Sequence, residues 1–342
     1  MPDSPRPGRR ARPPLSVAGM SGLAAVALLA LTSCAAGGGA GGADQGTAAA
    51  DEPVAVATTT QLGSVLADIT ACAGTSSSTL MGPGDDPHDF APSSQQIAEM
   101  TRTGLVVVNG LGLETGMQAA LDNATADGAT LLEVGPQLDP LPYAEAEDAH
   151  AGEEQDAHAG EEEDAHGAED PHVWMDASRM ATAAGVIGDE LAQTTGDERY
   201  ADCGREAAKT LEAADAEVRE VLEAIPGDRR TLVTDHAAYA YFADAYGFEI
   251  AGVVVPGGST DAEPSSERLA QLVAQIEEQG ADALVMSAGS GNKLIPALSA
   301  ETGGEVPVVE VYEGGVGPQG SGAEDYADAM VANARALADA LA

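Results

Sequence analysis

A chain of 342 residues has room for about two domains of ordinary size, and 44% apolar residues are enough to build their cores. The formal charge of −41 excludes a nucleic-acid partner, because the lysine and arginine patches that neutralise phosphates are missing. So acidic a surface gathers cations instead, but long-range charge attracts without selecting, and selectivity requires a built site.

The first residues hold much of the scarce positive charge. "MPDSPRPGRRARPP", with Arg6, Arg9, Arg10 and Arg12, runs into the apolar "LSVAGMSGLAAVALLAL" and then "TSC". A basic leader, a short apolar stretch and small residues make an export signal over residues 1–33. The apolar run is broken by glycines and is shorter than the ~20 residues of a membrane span. Its end, Leu31 to Cys34 ("LTSC"), resembles the bacterial lipobox, which implies that Cys34 is lipidated and becomes the new N-terminus. The Arg9–Arg10 pair lies in surroundings that fit a twin-arginine signal poorly. Residues 34–52, rich in Gly and Ala, have no periodicity and read as a flexible tether reaching roughly 20–25 Å. The two remaining cysteines, Cys72 and Cys203, are candidates for a disulfide outside the cell, with two buried free thiols as the other reading.

From Pro53 onward short β-type runs alternate with helical stretches. The first half offers strands at 54–59, 79–81, 105–109 and 130–134, separated by the helical "QLGSVLADITACA", "SSQQIAEMTR" and "ETGMQAALDNA". The second half repeats the plan with strands at 231–235, 249–255, 283–287 and 307–311, and helices near "AAYAYFADAY", "SSERLAQLVAQIEEQ" and "NKLIPALSAE". This alternation predicts an α/β fold with two lobes, 53–196 and 227–342, each a four-stranded, mainly parallel sheet flanked by helices. Between them, residues 197–226 contain Leu211, Val218, Leu222 and Ile225 at helical spacing, with no proline before Pro226. That predicts one long linking helix of ~40 Å, a stiff connector that limits lobe movement.

The six histidines fall into two groups. His150, His158 and His166 repeat every eight residues in the acidic stretch 143–170, which is too charged to pack a core. It reads either as a solvated insertion without a role or as an accessory loop that collects metal weakly and hands it on. His88 in "GPGDDPHDFAPSS", His172 in "EDPHVWMD" and His236 after "TLVTD" stand in separate, non-repetitive contexts. Singly, a histidine beside Asp and Pro in a turn is more often a surface residue than a ligand. Together, with two matching "DPH" tripeptides and two of the three at carboxyl ends of strands, where open α/β sheets bind ligands, they suggest a metal site. Three neutral imidazoles and one oxygen make a four-coordinate zinc site.

Those segments, with "LVTDHAAYAYFADAYGFEIAGV" and "STDAEPSSERLAQLV", resemble the zinc/manganese (ZnuA/TroA-like) class of solute-binding proteins of ABC transporters, from about Val54 to the C-terminus. The resemblance implies two α/β lobes joined by a rigid helix and one divalent ion in the interlobe cleft, held by His88, His172 and His236. It also matches the His- and acid-rich loop of the family's zinc members to 143–170. The fourth ligand departs from the family pattern. Many members have Asp or Glu followed by Ser-Leu, whereas the matching position here is Gly314, leaving the adjacent Glu313 or water to complete the site.

Gly110, Gly112 and Gly116, with Glu133 further on, evoke a dinucleotide fingerprint, but the last glycine is one residue late and the turn is not the first βα turn. Neither H-E-x-x-H nor G-x-S-x-G occurs, so no enzyme is expected. The expected function is capture of Zn²⁺ by a monomeric lipoprotein on the outer face of the cell membrane and delivery to an ABC permease with its ATPase, with a metallochaperone as a further conceivable partner. The alternatives are a Mn²⁺ receptor of the same fold and an extracellular zinc-buffering adhesin.

Overall fold

A computed structural model of the protein describes residues 52–143, 169–255, 266–290 and 293–342. The export signal, Cys34, the tether up to residue 51, and His150, His158 and His166 lie outside the described residues.

The first sheet contains β1 (Val56–Ala57), β2 (Ser78–Thr79), β3 (Leu105–Val108) and β4 (Thr130–Glu133), in the order β2-β1-β3-β4 with every pair parallel. Its helices are α1 (Thr60–Ala73), α2 (Ser94–Thr103) and α3 (Gln118–Ala126). Next come α4 (Ala177–Thr195) and α5 (Arg199–Leu222). The second sheet contains β5 (Thr231–His236), β6 (Glu249–Val255), β7 (Ala283–Ser287) and β8 (Val308–Val311), in the order β6-β5-β7-β8, again all parallel. It is accompanied by α6 (Ala240–Tyr246), α7 (Ser266–Gln279), α8 (Leu294–Glu301) and α9 (Tyr326–Leu341).

The reason for these elements is local. The continuous apolar run of β3 is buried along its whole length, as expected of a parallel strand covered on both faces. Thr59 caps α1 by accepting the Leu62 N–H, Asp176 caps α4 through Ser178, and Asp325 caps α9 through Asp328. Ser93 and Gln96 form a reciprocal capping box on α2.

The long helix α5 has 24 residues, about 36 Å at 1.5 Å per residue. It packs against α1, α4 and α9, and the largest apolar cluster gathers around these helices, with Leu211, Val218 and Leu222 among its members. Cys72 of α1 and Cys203 of α5 form a disulfide, with Cα atoms 5.8 Å apart.

Helices α4 and α5 touch backbone to backbone. A Cβ on Gly204 would lie 2.7 Å from the Ala184 carbonyl oxygen and 2.9 Å from the Gly188 Cα. Overpacking costs about 1–3 kcal/mol, which outweighs the small helix-propensity gain of replacing a glycine. Gly204→Val is therefore expected to lower the thermal unfolding midpoint, and a midpoint equal to wild type would mean that the helices separate freely.

Candidate metal centre

Two of the three isolated histidines are placed by the same turn. In Asp86-Pro87-His88 and in Asp170-Pro171-His172 the histidine N–H donates to the aspartate Oδ1 two residues earlier, at 2.9 Å in both. The intervening proline has no N–H to compete and fixes its own φ, while the aspartate side chain closes the turn. The first turn lies in the connection after β2; the second precedes a single 3₁₀ turn, Val173–Met175, which leads into α4. His236 is the last residue of β5 and pairs with Val255. The strand thus runs one residue further than its apolar pattern predicts, because β6 continues alongside it.

The three imidazoles converge. His88, His172 and His236 are all buried, and one nitrogen from each lies within 4.8 Å of the others. The Nε2 atoms of His88 and His172 are 3.3 Å apart. Glu313 reaches the same place, with Oε2 3.4 Å from His236 Nε2. Around a tetrahedral zinc with bonds of about 2.0–2.1 Å, neighbouring ligand atoms are about 3.3–3.4 Å apart. Both closest pairs match that spacing, and their donor set of three nitrogens and one carboxylate oxygen suits zinc.

The far sides of two rings are held by carboxylates. Asp170 Oδ1 lies 2.7 Å from His172 Nδ1, and Asp235 Oδ1 lies 3.0 Å from His236 Nδ1. Each Nδ1 donates its proton there, which leaves Nε2 for an ion. Asp235 is itself fixed by the Ser287 N–H, which donates to its Oδ2 at 2.8 Å. The Asp170 carbonyl accepts from the Tyr241 hydroxyl at 2.6 Å.

Charge at the centre is coupled. Burial pushes the Glu313 carboxyl up, but the adjacent His236 imidazole and its hydrogen bond outweigh burial and hold it below the ordinary carboxylate range. Burial likewise pushes His236 down, yet the Glu313 and Asp235 carboxylates prevail and raise it well above 6.5. Both shifts favour the charged pair, with His236 protonated and Glu313 ionised, over the neutral one.

His88, His236 and Glu313 open on a cleft of about 500 Å³, bordered by Asp85, Ser287, Lys293 and Tyr312. His172 is fully buried behind them. Trp174 ties the two sides together: its Nε1 donates to the Glu313 carbonyl at 2.7 Å, its carbonyl accepts from the Tyr326 hydroxyl at 2.5 Å, and its ring centroid is 5.2 Å from that of His172.

Reading the sequence alone missed the roles of Asp170, Asp235 and Trp174. The signal was present in the "DPH" and "TDH" runs, where an acid stands one or two places before each histidine. The glycine-rich stretch at 110–116 forms a tight turn after β3, in which Gly110, Leu111 and Gly112 all have positive φ (77°, 56° and 77°).

Comparison with known proteins agrees with this architecture. The family described as "Zinc-uptake complex component A periplasmic" matches residues 55–340. The manganese-binding lipoprotein MntA of Halalkalibacterium halodurans is 29% identical over 295 residues, covering 85% of this chain and 89% of that one. The zinc-binding protein TroA of Treponema pallidum is 27% identical over 271 residues, covering 77% and 80%. The solved structure of the periplasmic zinc-binding protein TroA superimposes with a TM-score of 0.71, at 24% identity, over 85% of this chain and 99% of that one.

Proposed function

Because the chain belongs to the family of periplasmic zinc-uptake complex component A proteins, we propose that it is an extracytoplasmic receptor that captures Zn²⁺ and delivers it to the permease and ATPase of an ABC importer. The observation that carries this reading is the convergence of His88, His172 and His236 with the Glu313 carboxylate in one buried cluster. We assign these four side chains as the ligands of the transported ion. Nothing about the cluster calls for catalysis; its work is to take the ion out of water and give it back.

Several features support the location. The export signal and Cys34 fit a lipoprotein on the outer face of the membrane, where the Cys72–Cys203 disulfide is stable. Among the described residues no helix is long and apolar enough to cross a membrane. The repeat carrying His150, His158 and His166 acts as an accessory collector, dispensable for tight binding. The protein works as a monomer, loaded from solution or by a metallochaperone.

Manganese is the second reading, favoured by the likeness to a manganese-binding lipoprotein. The nitrogen-rich ligand set argues for zinc, since manganese prefers carboxylate and water. A titration of metal-stripped mature protein decides, run with manganese as competitor and repeated on a chain lacking residues 144–169. Trp174 is the only tryptophan and abuts His172, so its fluorescence reports loading. One tight zinc site, undisturbed by excess manganese and surviving removal of the loop, is expected. Tight binding that vanished with the loop would place the receptor in the acidic repeat instead.

Affinity depends on pH with a definite sign. A cation entering the cluster competes with protonation of His236, which the Glu313 and Asp235 carboxylates favour, and ligand deprotonation makes metal affinity rise with pH. Affinity is expected to rise through pH 6.5 and to go on rising above neutrality, by about tenfold per pH unit while one proton is released. Calorimetry in buffers of different ionisation enthalpy counts that proton; a count of zero at neutral pH would refute this account.

A further inference from the structure

The connection after β3 carries a buried carboxylate outside the metal cluster. Glu114 is 4% exposed. Its Oε1 accepts from the Thr58 hydroxyl at 2.8 Å and from the Asn109 N–H at 2.6 Å, and its Oε2 accepts from the Gly110 N–H at 3.0 Å. These three donors come from the chain just beyond β1 and β3, so one carboxylate satisfies the backbone where both strands end.

Two paths of contact lead from there to the histidines. The Asn109 side chain donates to the carbonyl of Pro171, the residue before His172, at 2.9 Å. Beyond Glu114 the chain makes the 3₁₀ turn Thr115–Met117, in which the Gly116 N–H donates to the His88 carbonyl at 3.1 Å. A Cβ on Gly116 would lie 2.8 Å from the Phe90 carbonyl oxygen and 2.9 Å from the Asp89 carbonyl carbon. The loop therefore presses on the backbone immediately after His88, and glycine is required at this point.

We propose that Glu114 is a positioning residue for the metal centre, fixing the Asn109–Met117 loop that sets the backbones bearing His88 and His172. The inference rests on reading these histidines as ligands. It also explains why a carboxylate is needed. All three groups facing Glu114 are donors, and a carboxylate is acceptor-only. Glutamine has the same shape but turns an NH₂ toward one of them, which leaves a buried donor facing a donor. The displaced loop then carries two ligand-bearing turns with it, and loss of such outer support commonly costs about 10–100-fold in metal affinity.

The test uses the metal-stripped mature chain as wild type, Glu114→Gln, Asn109→Ala and the core control Val218→Ala, which lies on α5 in the packed interior. Zinc affinity is measured by chelator competition, the Co²⁺ ligand-field spectrum reports the geometry of the bound ion, and thermal unfolding reports stability. Glu114→Gln is expected to lose about 10–100-fold in zinc affinity and to shift the Co²⁺ bands. Asn109→Ala should shift the bands in the same sense with a smaller loss, and Val218→Ala should lower the melting midpoint with bands unchanged. A folded Glu114→Gln with wild-type affinity and spectrum would overturn the proposal, as would an equal affinity loss and band shift in Val218→Ala. If Glu114→Gln does not fold, Asn109→Ala decides by the same spectrum. A wild-type protein that bound no zinc would refute the metal-centre reading itself, an outcome separate from these.

Discussion

Replacing His172 with alanine is expected to weaken zinc binding by about 10²–10³-fold. Binding energies of four-ligand zinc sites are about 10–16 kcal/mol, so each ligand contributes on average about 2.5–4 kcal/mol, with each 1.4 kcal/mol a factor of ten. His172 should lie at the upper end. It is fully buried, so water replaces it poorly, and its loss strands the Asp170 carboxylate that its Nδ1 holds at 2.7 Å. Glu313→Gln should cost less, because it has two opposed effects. It removes an anionic group from the cluster, but it also removes the first of the groups that raise the His236 pKa, so protons compete less for the site. Its affinity profile should accordingly be flatter above neutral pH than that of wild type. Chelator competition across pH measures both. A His172→Ala protein binding zinc within tenfold of wild type would rule out the buried cluster as the site.

The second large effect is on stability. Cys72 and Cys203 are 131 positions apart, and closing a loop of that order restricts the unfolded chain by about 5 kcal/mol in the chain-entropy account; removing native disulfides typically costs 2–5 kcal/mol. The double variant Cys72→Ser/Cys203→Ser is expected to lose about 4–5 kcal/mol in urea unfolding of the metal-free protein. That is a large part of the 5–15 kcal/mol stability of an ordinary domain. Zinc should restore part of the loss, since a ligand that binds only the folded state stabilises it by mass action. Unfolding free energies of oxidised and reduced wild type that agree within about 1 kcal/mol would contradict the prediction.

Strands such as Leu105–Val108 and Ala283–Ser287 were legible in the sequence because parallel strands buried on both faces leave unbroken apolar runs, whereas the polar β2, Ser78–Thr79, overlaps the expected 79–81 only at Thr79. Helices α4 and α9 were not picked out in the sequence. Both are rich in alanine, which marks an apolar face only faintly. For α5 the spacing of Leu211, Val218 and Leu222 was sufficient, though its ends were drawn wider than Arg199–Leu222. The histidine triad could be picked out because its members stand apart from the eight-residue repeat. The choice between Glu313 and water could not be made from a one-residue offset in a loop. What brings the Glu313 carboxylate to His236 is tertiary: the Trp174 indole anchors the Glu313 carbonyl from a position 139 residues earlier. The support from Glu114 was hidden for the same reason, since its carboxylate joins Thr58 to Asn109 and Gly110 across 56 positions and then 5 and 4.

The separation of the clustered side chains along the chain has a consequence for the life of the molecule. Two come from the first sheet and its connections, and two from the second, with 225 positions between His88 and Glu313. Contacts so remote in sequence form late, after shorter loops have closed. A nascent or half-folded chain would hold at most part of the cluster, with one or two histidines and correspondingly feeble grip. Possession of cargo is thereby a certificate of completed folding, and a downstream acceptor that engages only loaded molecules would discard unfinished ones without any separate inspection.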